Sequence, residues 1–146
     1  VRSACWFTLN DGPNTGEFPP EGDFGLLAWD PEAGEAVHPK PAYFALQTLS
    51  STLGEMAFVR NTSAELGLGD GGYSMLFADV DGYSNIHVLW THDEGLTRTA
   101  TIRLTGDTVR VHDLLGNDVA IESDGTTVTV SIDANPMYVV DTRFSP

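Results

Sequence analysis

Residues 127–132 of the chain have the sequence TVTVSI, in which a hydroxyl side chain alternates strictly with a branched apolar one. Successive side chains of a β-strand point to opposite faces, so this alternation predicts a strand with one buried and one solvated face. Similar short segments recur at residues 56–60, 73–78, 86–91, 99–104, 109–111 and 138–140. About seven or eight such strands predict an antiparallel β-sandwich, so the expected fold class is mainly β.

Turn residues separate these segments. The Asp-Gly pair at residues 81–82 favours a tight reversal, because glycine adopts the left-handed backbone angles that such turns require. In the segment that follows, the alternation predicts that Ile86, Val88 and Trp90 face the core of the sandwich. His87 is expected on the opposite, solvent-facing side of the same strand.

Residues 1–55 have a different texture. The near-continuous apolar run ACWFTL at residues 4–9 predicts a strand that is covered on both faces. A loop rich in glycine, proline and acidic residues then extends to about Asp23. The sequence HPKP at residues 38–41 leads into a predicted helix, because proline is tolerated in a first helical turn. Gly54 is a natural left-handed stop for that helix.

This first region is incomplete as a domain. A strand buried on both faces needs neighbours at both edges, and the apolar helix face needs a sheet to cover. That face comprises Ala42, Ala45, Leu46, Leu49 and Leu53. Parallel β/α units occur in series, so we interpret residues 1–55 as one β/α unit that missing upstream sequence or another chain completes. Residues 56–146 are interpreted as a C-terminal antiparallel β-sandwich.

The charge of the chain excludes several partners. Seven Lys and Arg face 21 Asp and Glu among 146 residues, which gives a formal net charge of −14. Such a surface repels phosphate backbones and anionic lipid, so neither nucleic acid nor a membrane is expected as a partner. Neutral carbohydrate remains compatible with it. Because Cys5 is the only cysteine, an internal disulfide and a multi-cysteine metal site are excluded.

Three segments of the first region resemble a known enzyme family. They are WFTLND at residues 6–11, FGLL at 24–27 and PKPAYFAL at 39–46. Together they are similar to the last β/α unit of retaining clan-A glycoside hydrolases with a β/α barrel, such as cellulases, β-xylosidases and α-L-arabinofuranosidases. A small β-sandwich often follows in that family. The sequences LGN at 115–117 and PMY at 136–138 are similar to its last strands.

The resemblance implies that residues 1–55 are the last β/α unit of a truncated barrel. The remainder of the barrel is then an expected partner, either as missing upstream sequence or as another chain. Retaining enzymes use two carboxylates about 5 Å apart, as acid/base and as nucleophile. In this clan both lie on earlier barrel strands, so the catalytic pair is not expected in this chain, and no metal or cofactor is implied. Trp6 is the candidate platform under the sugar at the cleaved bond, because sugar C–H faces pack on aromatic rings. Asn10 and Asp11 are candidates for hydrogen bonds to sugar hydroxyls. The cell location is left open, with an extracellular one slightly favoured.

Each candidate also has a structural interpretation. Trp6 suits the core of an apolar strand, and the sequence NDGP at residues 10–13 is turn chemistry in its own right. Glu17, Glu21 and Asp23 suggest a carboxylate cluster, but a solvated acidic loop is the favoured interpretation. The sequence DVDG at residues 79–82 is similar to the start of a calcium loop, and a plain hairpin is favoured there.

Two functions from different classes follow. The first is the C-terminal segment of a glycoside hydrolase that acts on plant or microbial polysaccharide or oligosaccharide, with the sandwich as an accessory structural domain. The second is a stand-alone carbohydrate-binding or adhesion module. In that case exposed aromatic side chains such as Tyr73, Tyr83 or Trp90 would bind glycans. The expected inward orientation of Trp90 weighs against it.

Overall fold

The computed structural model describes residues 9–13 and 25–144. Over those residues the chain is mainly β, with ten strands in antiparallel sheets and one α-helix, which confirms the expected fold class. Most of the apolar run at residues 4–9, and the loop between residues 14 and 24, lie outside the described residues. The chain divides into two compact units, Val1–Gln47 and Thr48–Pro146. This division falls within the helix, and the expected boundary between residues 55 and 56 stays a prediction.

A short hairpin is the main element of the first unit. Strands β1 (Leu27–Asp30) and β2 (Glu35–Pro39) pair antiparallel. The turn between them is fixed by the carboxylate of Asp30, which accepts hydrogen bonds from the amides of Ala33 and Glu32 at 3.2 and 2.8 Å. These two bonds, that from Ala33 first, lower the pKa of Asp30 because they favour its charged form.

Helix α1 (Pro41–Leu53) begins with proline at its first position and ends directly before Gly54, as the sequence predicts. The expected left-handed backbone at Gly54 is wrong, because its φ is not positive; a side chain there would instead approach the carbonyl oxygen of Ser50 to 2.6 Å. The apolar face of the helix is only partly covered. Leu53 packs against a buried cluster of the sandwich, whereas Leu49 is exposed. Thr48 is the buried residue of the helix, and Phe44 is exposed as well.

The second unit is a sandwich of two antiparallel sheets. A five-stranded sheet has the order β3-β4-β5-β10-β7, and a three-stranded sheet has the order β6-β9-β8. The strands are β3 (Ala57–Asn61), β4 (Gly72–Ala78), β5 (Ser84–Thr91), β6 (Arg98–Arg103), β7 (Thr108–His112), β8 (Glu122–Ser123), β9 (Thr127–Ile132) and β10 (Met137–Thr142). All except the two-residue β8 lie where the alternating segments of the sequence predict strands.

The core lies between the two sheets. In β9 every second residue, Val128, Val130 and Ile132, is buried, as the TVTVSI pattern predicts. Its partner strand β6 contributes Ala100 and Ile102 in matching register. The remaining buried members of this cluster are Leu68, Leu89, Val111 and Val139.

The expected orientation of β5 is wrong. Leu89, and not Val88, packs into the core between the sheets. Ile86 and Val88 belong to a second buried cluster with Tyr138, and Leu53 and Trp90 pack against this second cluster. His87 lies on the same side of the strand as Leu89, is half-buried, and is therefore not a solvent-facing residue. The sequence misled because β5 is apolar on both faces, so alternation could not identify the inner one.

The connection between β6 and β7 is held by a buried carboxylate. Asp141 on β10 is only 4% exposed. It accepts hydrogen bonds from the Thr105 amide at 2.7 Å, from the Thr105 hydroxyl at 2.9 Å and from the Gly106 amide at 2.8 Å. A side chain at position 106 would collide with Asp141 and with the backbone of Thr142, so the turn requires glycine. The carboxylate thus accepts hydrogen bonds from turn amides that would otherwise have no acceptor.

Candidate functional site

The three residues expected to bind substrate have different positions. Trp6 lies outside the described residues. Asn10 is exposed and forms an isolated parallel bridge with Leu27 at the start of β1. Asp11 is 5% exposed, so its carboxylate faces the protein interior. Asn10 and Asp11 are therefore neighbours with different environments, and the substrate-binding role of all three stays a prediction.

Asp11 joins the three segments that carry the family resemblance. Its Oδ1 accepts a hydrogen bond from the amide of Gly25 at 2.7 Å. Its Oδ2 lies 2.6 Å from Nζ of Lys40. A side chain at position 25 would overlap the backbone of Asn10 and Asp11, so only glycine fits there. The FGL segment, the lysine before the helix and the Asn-Asp pair thus meet at one buried carboxylate, which suits a positioning role for Asp11.

The outer face of the three-stranded sheet is polar. Between the buried residues of β6 and β9, the side chains that face away from the core are hydroxyls and a guanidinium. The hydroxyl groups of Thr101 and Thr129 lie 3.2 Å apart across the two strands. The exposed members of this face are Thr99, Thr101, Arg103, Thr129 and Ser131. This sheet therefore needs cover on its inner face only.

The outer face of the five-stranded sheet is apolar and rich in aromatic side chains. The cross-strand register places Phe58 opposite Phe77, and Phe77 opposite Ile86. Phe58 is 59% exposed, and its ring meets that of Phe77 edge-to-face at a centroid distance of 5.7 Å. We call this face the apolar outer face; its members are Phe58, Tyr73, Met75, Phe77, Ile86, Val88, Trp90, Tyr138 and Val140. Such a sheet is built to be covered on both faces.

Two of its aromatic residues stack on one another. The rings of Tyr73 and Trp90 are 5.2 Å apart and inclined by 17°, so each uses one face on the other. Both residues are half-buried. Tyr83, at the β4–β5 turn, is 40% exposed. Stacking leaves Tyr73 and Trp90 less aromatic surface for a sugar than the sequence-based hypothesis of a binding module requires.

A pocket of about 390 Å³ opens beside this face. The second half of α1 lines one side of it through Thr48, Ser51 and Thr52, and the end of β7 lines another through Arg110 and His112. The side chain of Arg110 is exposed, and its Nε donates to Asp118 at 2.6 Å. The apolar floor of the pocket consists of Met56, Ile86 and Val140.

A serine–histidine pair occurs inside the sandwich but lacks access to a substrate. Oγ of Ser74 lies 3.2 Å from Nδ1 of His87 and accepts a hydrogen bond from the Thr62 hydroxyl at 2.8 Å. Such a pair can activate a nucleophile. Ser74 is 0% exposed, however, so no substrate reaches its hydroxyl. Burial lowers the pKa of His87, and the nearby Arg60 adds to this effect. The group satisfies buried polar atoms of the core.

The remaining acidic candidates are turn residues or lie elsewhere. Glu17, Glu21 and Asp23 are outside the described residues. Asp79 accepts a hydrogen bond from the Ser84 amide at 3.1 Å, which fits the favoured hairpin interpretation. In residues 9–13 and 25–144 no group of three or more His, Cys, Asp or Glu side chains is arranged to hold a metal ion. No described helix is long and apolar enough to cross a membrane.

Sequence reasoning missed the apolar outer face and the pocket. The signal was present, since Tyr73, Met75 and Phe77 alternate with Ser74 and Leu76 in one strand. Both sets contain apolar residues, which is typical of a strand covered on both sides. The ring of His112 lies within hydrogen-bond distance of Thr52 and stacks on Tyr138. These contacts had no local signal, because both residues are distant from His112 in sequence.

Comparison with known proteins gives a structural relative. A scan against protein-family models finds no match, and neither does a search of curated proteins. Among solved structures, the chain is similar to a family 39 glycoside hydrolase from the gut symbiont Bacteroides cellulosilyticus, with 25% identity and a TM-score of 0.64. That match covers 93% of this chain and 25% of the enzyme.

A weaker match involves an alpha-amylase from Anoxybacillus, with 14% identity, a TM-score of 0.45, and coverage of 82% of this chain and 27% of that one. The chain therefore spans about a quarter of the length of these structures. The stronger match fits the interpretation of this chain as a fragment of a glycoside hydrolase, with a fold that occurs in such an enzyme.

Proposed function

We propose that this chain is the C-terminal segment of a retaining glycoside hydrolase of clan A that acts on plant or microbial polysaccharide or oligosaccharide. The sandwich is its accessory structural domain. The two catalytic carboxylates belong to the rest of the enzyme. This chain supplies the last β/α unit and the sandwich that packs on the barrel. The likeness to a family 39 enzyme four times as long supports this proposal.

The apolar outer face is the observation that carries the proposal. The outer face of the three-stranded sheet is polar and suits contact with solvent. The outer face of the five-stranded sheet is apolar and suits contact with protein. Phe58 and Val59 on β3 are both exposed, which is costly for a surface that stays in water. The catalytic part of a longer polypeptide is the partner that would cover this side, because it is always present at high effective concentration.

The open face of α1 supports the same conclusion. Leu49 is exposed at the position where the last helix of a barrel packs on the sheet inside it. Phe44, five residues earlier and on a different side of the helix, is exposed as well. A helix with an uncovered apolar stripe is stabilised mainly by the partner that buries it.

At the active site, this chain acts through the segment around residues 6–11. Trp6 is the proposed sugar platform, and Asn10, four residues later in the chain, is exposed. Asp11 is proposed to position Asn10 through its contacts with Gly25 and Lys40.

The mass of the natural protein tests the proposal. An antibody to this chain should detect, after denaturation, a protein well above 15.7 kDa, with room for a barrel of roughly 250 residues. NMR of the first sugar product should then show retention of the anomeric configuration. Antibody pre-absorbed with the isolated chain is the control. A mass near 15.7 kDa, or an inverted product, would contradict the proposal.

Titration of the isolated chain separates the rival module. Xylo- and cello-oligosaccharides should bind no more tightly than a Kd of about 1 mM, because Tyr73 and Trp90 are half-buried and stack on one another. Micromolar binding that is lost in Tyr83→Ala and retained in Thr101→Ala would instead favour a stand-alone carbohydrate-binding module.

A further inference from the structure

His112 connects the five-stranded sheet to the end of α1. The side chain is 7% exposed, and its ring stacks on that of Tyr138 at a centroid distance of 5.0 Å and an angle of 16°. Its Nε2 lies 3.0 Å from the hydroxyl oxygen of Thr52. We call residues 48–53, which belong to the same compact unit as the sheet, the helix end.

The second nitrogen of this ring has no hydrogen-bond partner among the residues that the structure describes. Nδ1 of His112 is buried, and no described atom makes a hydrogen bond to it. An unpaired buried N–H is costlier than an unpaired lone pair, so the proton of the neutral ring belongs on Nε2, which then donates to Thr52. A second proton would have to enter at Nδ1. It would create a charged N–H group with no acceptor.

The charges around His112 do not remove this penalty. Burial is the largest cause that lowers the pKa of His112, and the guanidinium of Arg110 adds to it. The carboxylates of Asp118 and Asp113 act in the opposite direction. From β10 the facing titratable group is Tyr138. The helix end has no titratable side chain, so its response to acid must come from the ring that it contacts.

The pocket beside the ring gives the helix end room to move. Thr48, Ser51 and Thr52 line this pocket together with His112, so water already reaches one side of the contact. Displacement of Thr52 would open a path for water to the ring. A water molecule would then accept a hydrogen bond from the protonated Nδ1 of His112.

We propose that His112 is a pH-sensitive latch that holds the helix end on the five-stranded sheet when neutral and releases it when protonated. The release exposes the cluster of Ile86, Val88 and Tyr138, which Leu53 and Met56 otherwise cover. This inference concerns the sandwich unit alone and does not depend on the proposed enzymatic function.

Amide hydrogen exchange with NMR detection tests the latch on the complete chain. From pH 7.5 to 5.0, after correction for intrinsic exchange, the opening constant of residues 48–53 should rise by up to about tenfold per pH unit. The rise should begin below the ordinary pKa of about 6.5, which the ring has in the open state, and level off below its lowered pKa in the closed state. The His112 ring resonances should titrate over the same range, while the amides of β9 stay protected.

Three variants decide the outcome. His112→Gln keeps a donor near Thr52 but cannot be protonated, so the pH dependence should disappear. The matched control His87→Gln removes the other buried histidine and should retain it. If His112→Gln does not fold, Thr52→Val should raise opening by about tenfold at pH 7.5. The proposal is overturned if His112→Gln keeps the pH dependence, if Thr52→Val leaves opening unchanged, or if the ring titrates without any opening of residues 48–53.

Discussion

Two buried carboxylates of this protein, those of Asp141 and Asp11, accept hydrogen bonds from backbone amides. Asp141 binds the turn at Thr105 and Gly106, and Asp11 binds Gly25. A carboxylate can accept several bonds at once, whereas an amide side chain has one oxygen and two unwanted donors. Asp11 is a candidate for sugar binding from the sequence, where the Asn-Asp pair stands alone. Its contacts with Gly25 and Lys40 join residues distant in sequence and are visible only in the structure.

Asp141→Asn tests the hydrogen bonds to the turn at Thr105 and Gly106. The new NH2 group would face the amide of Gly106 or of Thr105, so one buried donor loses its acceptor. We expect a loss of about 2 kcal/mol in the free energy of unfolding, measured with urea. Asp133→Asn is the control, because Asp133 accepts from Asn135 in an exposed turn and its replacement should cost under about 1 kcal/mol. Equal effects of both would count against the capping role.

Lys40→Met tests the pair with Asp11. Removal of the ammonium leaves a buried carboxylate without its counter-charge, which should destabilise this contact by about 2 kcal/mol. Hydrogen exchange at the Gly25 amide reports the loss locally. The double variant Asp11→Asn with Lys40→Met should recover part of it, because no unpaired charge remains. A double variant that is no better than Lys40→Met alone would contradict this account.

At the level of elements, the two sheets of the sandwich differ in what faces outward. The expected strands are present, because β9 and β6 alternate cleanly and have one solvated face each. The orientation of β5 was not predictable, since Ile86, Val88 and Leu89 are all buried and a one-residue shift in the assignment exchanges the two faces. The pocket depends on the contact between α1 and the sheet, which no local pattern encodes.

The apolar outer face predicts association of the isolated chain. With Phe58 and Val59 exposed on edge strand β3, we expect self-association at concentrations of about 0.1 mM, visible by sedimentation velocity. Phe58→Lys should shift the chain toward monomer while unfolding stability changes by less than about 1 kcal/mol. Thr101→Lys, on the polar outer face of β6, is the control and should leave association unchanged. Association that survives Phe58→Lys would place the contact elsewhere.

At the level of the whole molecule, stability should depend on pH in two separate windows. Burial lowers the pKa of His87 and of His112, so the unfolded chain binds their protons more readily than the folded one. Their contribution is complete above the unfolded pKa of about 6.5 and is lost as the pH falls below it. Each histidine can contribute at most about 1.4 kcal/mol per pH unit to this slope.

Carboxylates define the lower window. Backbone hydrogen bonds from Thr126 and Thr127 lower the pKa of Asp124 to about 2, so its contribution is present above the unfolded pKa of 3.8 and is lost as the pH falls from there to about 2.

Urea unfolding at pH 7.5, 6.5 and 5.5 tests the upper window, and the free energy of unfolding should decline over this range as the histidine contribution is lost. In the variant with both His87→Gln and His112→Gln this decline should vanish, and a decline that persists would assign it to other groups.

The fold class was predictable for the whole molecule, whereas the candidate site was predictable only as a set of neighbouring segments. Period-two alternation is a local signal, and strands such as β9 show it without interference. The role of Asp11 depends on Gly25 and Lys40, and that of His112 on Thr52, which are contacts between distant residues. Sequence alone gives the elements but not these pairings.

The division of the chain inside α1 has a consequence for how such a sandwich could be inherited. Residues 48–53 belong to the compact unit of the sandwich, and Leu53 packs against its second buried cluster. A gene rearrangement that moved only the strands would strip this cluster of its cover. A recombinant sandwich should therefore keep its stability only if it begins no later than Thr48, so that it includes the second half of the helix.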